Sequence, residues 1–316
     1  MPKILIATIG SRDHGLGHIQ RQLVLARALE SSGAAVEFAS EPNTPGWERI
    51  VAAGYAPNPW PGPQMPIADA MVIDVEHGPS AAFLELAKQY YTKVITVYGG
   101  ASFPLAAPDA VEQLSDLVLC QSVFEFDRPA HVLQGTRHLI IDPAYRQCSP
   151  DFDGPVIVCM GGADPHNLTA LALDTVAATG RDAIGIIGPA ATPTGLNLSN
   201  HIALAVAPTS LVEYFQGASL FVGAMGMVAY EALAAGMPCI LTNWSDSHTD
   251  TTIELGRLVG AVNLGLWSHF SPAKLRQAVE IILADRESWA GASARCGSLI
   301  DGQGAARCAE AICRLM

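Results

Sequence analysis

Basic residues are scarce. Eighteen Lys and Arg stand against 30 Asp and Glu, which leaves a formal net charge of −12. That balance argues against general, non-specific nucleic-acid binding and against attraction to an anionic membrane surface, while a local basic groove stays compatible with it. Charge of either sign is thin, at 15% of residues, and this speaks against disorder. The seven cysteines are odd in number and scattered, with no CxxC among them, so neither a zinc ribbon nor a disulfide framework is indicated. Several fall in apolar stretches, as buried thiols of a reducing, cytoplasmic compartment would. No run is long and apolar enough to span a membrane. The apolar residues 4–9 are too few for a secretory leader and run straight into a glycine turn.

What is present is apolar residue, at half of 316 positions. A chain of that length suggests two domains of roughly 150 residues, each able to bury a core. Short apolar strands are expected at residues 3–9, 35–39, 71–74, 93–98 and 117–121, with helices at 19–31, 47–53 and 79–91. Residues 57–66 hold five prolines and Trp60 and read as loop. Residues 148–155 read as a linker. A second series follows: strands at 155–160, 183–187, 202–206, 219–222, 239–242 and 261–264. Its helices are expected up to 179 and at 211–217, 253–258 and 272–283, with a largely helical tail. Such alternation gives an α/β chain with two Rossmann-like parallel-sheet domains, 1–148 and 155–300, facing a cleft. The tail 301–316 is expected to pack back on the first domain.

Residues 216–250 carry the sharpest local pattern. A strand ends near Gly223, small residues turn the chain through Ala224, Met225 and Gly226, and an apolar helix follows. Gly236 stands where a helix C-cap glycine belongs, and Pro238 stops any continuation. Free N–H groups at a helix start favour a phosphate, and small residues let it come close. Glu231, about a turn and a half into that helix, can accept both hydroxyls of a ribose. Tight strand–helix packing alone would produce the same glycines, so both readings stay open.

The first loop lies at the carboxyl end of the first strand, where doubly wound folds bind ligands. Gly15 and Gly17 free its backbone, and His18 stands at the start of a helix. A neutral imidazole there is a good general base for a hydroxyl or for water; local capping is the alternative. Asp74, Glu76 and His77 end a strand on the same side and can supply an acidic partner. Arg21, one turn along the helix, either orients substrate or is a surface charge. The Gly161–Gly162 turn opens the second domain in the same way, and Asp164 either faces a ligand or caps the next helix. His77 has no second His or Cys at ligand spacing, so no metal site is expected.

Four strings, in order along nearly the whole chain, resemble one family. They are GLGHIQRQLVLARAL at 15–29, VIVCMGGADPHNLT at 156–169, AMGMVAYEALAAGMP at 224–238 and SLIDGQGAARCAEAI at 298–312. Together they resemble GT-B nucleotide-sugar enzymes: the peptidoglycan N-acetylglucosaminyltransferase and, more closely at the first string, the UDP-sugar hydrolase of pseudaminic-acid biosynthesis. The resemblance implies a catalytic base at His18, diphosphate at the glycine turn and ribose at Glu231. It also implies a polar loop at Ser245, Asp246 and His248 facing the donor sugar or diphosphate. Two places depart from the hydrolase: where that family has paired aspartates, this chain reads Val97-Tyr98-Gly99-Gly100-Ala101-Ser102, and the proline-rich loop 57–66 with Trp60 is unlike a tight hydrolase pocket and can line a site for a larger acceptor. Both changes fall on the acceptor side, the first at Tyr98, and leave the donor side intact.

The leading expectation is an inverting transferase using a UDP-sugar, with the turn stabilising the leaving diphosphate, so that neither cofactor nor metal is needed in principle. Hydrolysis, with water as acceptor, is the nearest alternative. Transfer to a hydroxymethylated DNA base and a non-catalytic nucleotide-sugar sensor follow. A NAD-dependent dehydrogenase is weaker, because the first loop lacks GxGxxG. Neither the acceptor nor the oligomeric state is legible.

Overall fold

A computed structural model describes residues 1–11, 15–61, 66–75, 78–99, 108–197 and 199–316. The chain forms two compact units: residues 1–142 with 303–316, and residues 143–302. Residues 143–155, which include the expected linker, lie with the second unit.

In the first unit β1 (Lys3–Thr8), α1 (Gly17–Ser31), β2 (Ala35–Ser40), α2 (Pro45–Ala52), β3 (Asn58–Pro59) and β4 (Ala70–Asp74) come first. They are followed by α3 (Ala81–Tyr90), β5 (Lys93–Gly99), α4 (Pro108–Leu114), β6 (Leu117–Gln121) and β7 (Val132–Leu133). The strands form one parallel sheet in the order β3-β2-β1-β4-β5-β6-β7. Both faces are covered, which is why the strands are apolar without alternation. Ile4 and Ile6 pack with Leu25 and Leu29 of α1, whereas Leu5 and Ala7 pack with Leu84 and Ala87 of α3. Trp60 is drawn into this second cluster, edge-on to Phe83 at 5.8 Å. It therefore serves packing rather than standing free in the proline-rich loop; residues 62–65 of that loop lie outside the described residues.

The second unit runs β8 (Val156–Cys159), α5 (Leu168–Ala177), β9 (Ala183–Ile187), β10 (Ile202–Val206), α6 (Val212–Phe215), β11 (Leu220–Ala224) and α7 (Met227–Ala234). It continues through β12 (Cys239–Asn243), α8 (Asp246–Val259), β13 (Val262–Leu266), α9 (Pro272–Ile282) and α10 (Arg286–Leu299). Its parallel sheet has the order β10-β9-β8-β11-β12-β13. In each sheet the strand order therefore reverses beside its first strand, between β1 and β4 and between β8 and β11. Those are the switch points at which open α/β sheets place ligands.

The chain ends in α11 (Gly304–Cys313), which returns to the first unit and packs along α1 through Cys308, Ala309 and Ile312. Gly304 sits so close to Leu139 that a Cβ would lie 2.0 Å from its carbonyl oxygen. Gly304→Ala is expected to lower stability by about 1–3 kcal/mol, the usual penalty of overpacking. An unchanged thermal midpoint would show that α11 does not seat there. Among the described residues no helix is long and apolar enough to cross a membrane.

Candidate functional site

Thr8 and Asp74, the last residues of β1 and β4, are register partners at the first switch point. Asp74 is fully buried. A charge there needs partners, and α1 supplies them. His18, Arg21 and Gln22 stand at i, i+3 and i+4, hence on one helical face. His18 Nδ1 lies 2.7 Å from Asp74 Oδ1. Arg21 donates from Nε to Asp74 Oδ2 at 2.6 Å and from Nη2 to Oδ1. Gln22 Nε2 donates to Oδ2 at 2.7 Å.

The tautomer of His18 follows from this set. An ionised carboxylate only accepts, so the short contact to Oδ1 requires a proton on Nδ1. Arg21 Nη2, 2.9 Å from the same nitrogen, is then its neighbour on a shared oxygen rather than its donor. Among the described residues nothing hydrogen-bonds Nε2. Burial by itself would raise the Asp74 pKa. The Arg21 charge, then His18 and the hydrogen bonds from both, outweigh it and hold the carboxyl well below the usual carboxylate range. Arg21 is thus no loose surface charge: it is 5% exposed and spent on Asp74.

Gly15 adopts the left-handed φ of +71° expected of a freed loop backbone, whereas Gly17 is the first residue of α1. Tyr98, near the end of β5, lies over Gly78, where a Cβ would meet its ring at 2.9 Å, and burial raises its pKa. Glu76 and His77 lie outside the described residues.

At the second switch point, Gly161 turns with φ +91° and Gly162 accepts from Ala190 N–H at 2.9 Å. Asp164 caps α5: its two oxygens accept from the Leu168 and Thr169 N–H groups, both at 2.9 Å. Asp164→Ala should therefore lower stability by about 0.5–2 kcal/mol. A melt that overlays wild type would remove the cap from the account.

The turn at residues 223–226 differs from the sequence expectation. Gly223 and Ala224 belong to β11. Gly223 is a close-packing glycine, since a Cβ would lie 2.4 Å from the Cys159 carbonyl. Met225 is buried and gives its N–H to Thr242 at 2.8 Å. Only Gly226, the N-cap of α7, faces open space. Gly236, at φ +82°, ends α7 as expected: its N–H bonds Leu233 and that of Met237 bonds Ala232, a Schellman ending. Glu231 is 7% exposed. Its charge and that of Asp164 both bear on the Cys159 thiol at the end of β8, whose pKa is pushed up to about 12, chiefly by burial.

Ser245, Asp246 and His248 form the N-cap and first turn of α8 rather than a loop. The Ser245 hydroxyl meets His248 Nδ1 at 2.7 Å and the Ser247 hydroxyl at 2.9 Å, and makes no side-chain cap. Burial lowers the His248 pKa. The first-turn N–H groups point out at the carboxyl edge of the sheet, as at any helix start. Sequence reasoning passed over Asn243, which is fully buried and ties α8 to the sheet through Thr252 at 2.6 Å and Asn263 at 2.9 Å. It also passed over His166, stacked on Trp267 at 3.4 Å, and over Gln22. Only Gln22 had a signal, its i+4 spacing from His18. Among the described residues no group of three His, Cys, Asp or Glu could hold a metal ion.

No protein-family model and no curated protein matches the sequence. Solved structures do match it in shape. MurG of Acinetobacter baumannii superposes with a TM-score of 0.68 over 100% of both chains at 13% identity. The spinosyn rhamnosyltransferase SpnG, complexed with thymidine diphosphate, gives 0.64 over 98% of this chain and 100% of its own at 15% identity. S. aureus MnaA, solved with UDP, gives 0.66 over 100% and 97% at 14% identity. At such identities the likeness is one of fold, and with two all-parallel sheets in these orders the chain has the GT-B fold.

Proposed function

We propose that the protein is an inverting glycosyltransferase that moves a sugar from a nucleotide-sugar donor, a UDP-sugar first, to an acceptor hydroxyl. The observation that carries the reading is the buried Asp74 that fixes His18 with its Nδ1 proton inward, leaving Nε2 as the basic nitrogen. Nε2 takes the acceptor proton as the hydroxyl oxygen attacks the anomeric carbon. The bond from that carbon to the diphosphate breaks on the opposite face, and its electron pair leaves with the diphosphate. The N–H groups at the starts of α7 and α8 in the second unit oppose that growing charge. Glu231 accepts the ribose hydroxyls. The nucleoside diphosphates bound by SpnG and MnaA support the choice of donor class.

A second reading is hydrolysis, favoured by the string around His18; the same Nε2 would then take a proton from water. A screen of nucleotide sugars, following UDP release with and without added acceptors, separates the two. Release that needs an acceptor supports transfer, release without one supports hydrolysis, and none with any donor removes both. For the donor side, Glu231→Ala is expected to weaken UDP binding by about 1–3 kcal/mol, the loss typical of hydrogen bonds to a charged group. Unchanged affinity by calorimetry in a folded variant would remove Glu231 from the site.

A further inference from the structure

We propose that Arg21 and Gln22 are positioning residues that saturate Asp74, making it a permanent orienting anion that holds His18 in one tautomer. The inference rests on the reading of His18 as base, and deepens it by assigning what surrounds that base.

A carboxylate offers about four lone-pair positions. In Asp74 all four are taken: Oδ1 by His18 Nδ1 and Arg21 Nη2, Oδ2 by Arg21 Nε and Gln22 Nε2. No position remains for a proton. Asp74 therefore cannot relay the proton that His18 acquires. It can only fix the ring and attract the imidazolium.

Arg21 alone would not close the set. Its fork takes one position on each oxygen, leaving Oδ2 open. Gln22 fills that position, under an adverse condition. Its side chain is fully buried, and among the described residues its Oε1 has no hydrogen-bond partner. A buried amide with an orphaned oxygen is unfavourable unless its other end is well used. Here the other end donates to a buried anion at 2.7 Å. A methionine of similar length would pack without leaving an orphan, so packing does not account for glutamine at this position. With Oδ2 closed by Gln22 and Arg21, the carboxylate cannot rotate to offer that oxygen to His18. The imidazole thus meets one oxygen, in one orientation, with its proton on Nδ1.

The test has an arm that needs no activity. Long-range ¹H–¹⁵N correlation on ¹⁵N-histidine protein, with His18 assigned by the loss of its signals in His18→Ala, reads the tautomer of the neutral ring. The Nδ1–H form is expected; a dominant Nε2–H form would overturn the proposal whatever the enzyme does. In Gln22→Met the His18 signals should shift towards a tautomer mixture. UDP-releasing turnover should fall roughly 10- to 100-fold, the scale of one lost hydrogen bond to a charged group. KM should stay near that of the wild type, because donor contacts are untouched. Wild-type turnover together with an unchanged His18 spectrum would reduce Gln22 to packing. Should that variant fail to fold, Arg21→Lys keeps the charge but loses the fork, and the same spectral change is expected. An Nδ1–H spectrum in a protein that turns over no nucleotide sugar would leave the clamp standing and remove the proposed reaction instead.

Discussion

Replacing His18 by alanine is expected to lower turnover by about 10²- to 10⁴-fold, the usual contribution of a general base, with UDP affinity unchanged. The variant should fold. Asp74 keeps Arg21 and Gln22 and loses one of its four donors, so the buried charge remains paired. Side-chain burial gives the same answer: His18 is 15% exposed, so its removal opens to the surface rather than leaving a sealed void. Loss of rate in a folded protein would then report chemistry. In the proposed reading the second unit holds the nucleotide, so calorimetry with UDP should match wild type. A variant that binds UDP and turns over at close to the wild-type rate would exclude His18 as the base.

Much of the fold was legible because it is built of regular elements. The strands at residues 117–121 and 183–187 begin and end where expected, since burial on both sheet faces demands nearly continuous apolar sequence; the edge strand at 202–206 is equally apolar although Val206 is 73% exposed. The Schellman glycine at 236 was legible for a similar reason: only glycine takes a left-handed φ there without penalty.

The elements that were misread are those whose buried face is polar. Helix α8 begins seven residues before the apolar period suggests, because its inward side is led by Thr251 and Thr252, which read as surface. Ile253, the first residue of the helix expected at 253–258, is 58% exposed. Gln22 failed the same way, as a polar residue on a helix with no visible reason to be buried until Asp74 is placed beside it. Gly223 misled in the other direction. A glycine at a strand end reads as a turn, but it here makes room for the Cys159 carbonyl, a long-range contact that no local pattern encodes.

Asp74→Asn is expected to produce the largest combined effect, on rate and on stability. The substitution keeps the shape and removes the charge. One of two acceptor oxygens becomes an NH₂ group facing two N–H donors, whichever way the amide turns. Turned towards His18, it forces the ring to accept at Nδ1 and so to carry its proton on Nε2, the wrong tautomer for a base. The same change in a Ser-His-Asp triad lowers turnover by about 10⁴-fold, and a loss of that order is expected here. Stability should fall by about 3–5 kcal/mol, because Arg21 is left buried without a counter-charge. The pH dependence has a definite sign. The folded-state pKa of Asp74 is depressed, so its contribution is present above the unfolded value of about 3.9 and is lost as pH falls towards the folded value. Asparagine does not titrate there. The difference in urea midpoint between wild type and Asp74→Asn should therefore shrink as pH falls below about pH 4. A difference that stays constant into that acid range would show that Asp74 is not held as a depressed-pKa anion. Turnover within tenfold of wild type would show that it does not set the tautomer of the base.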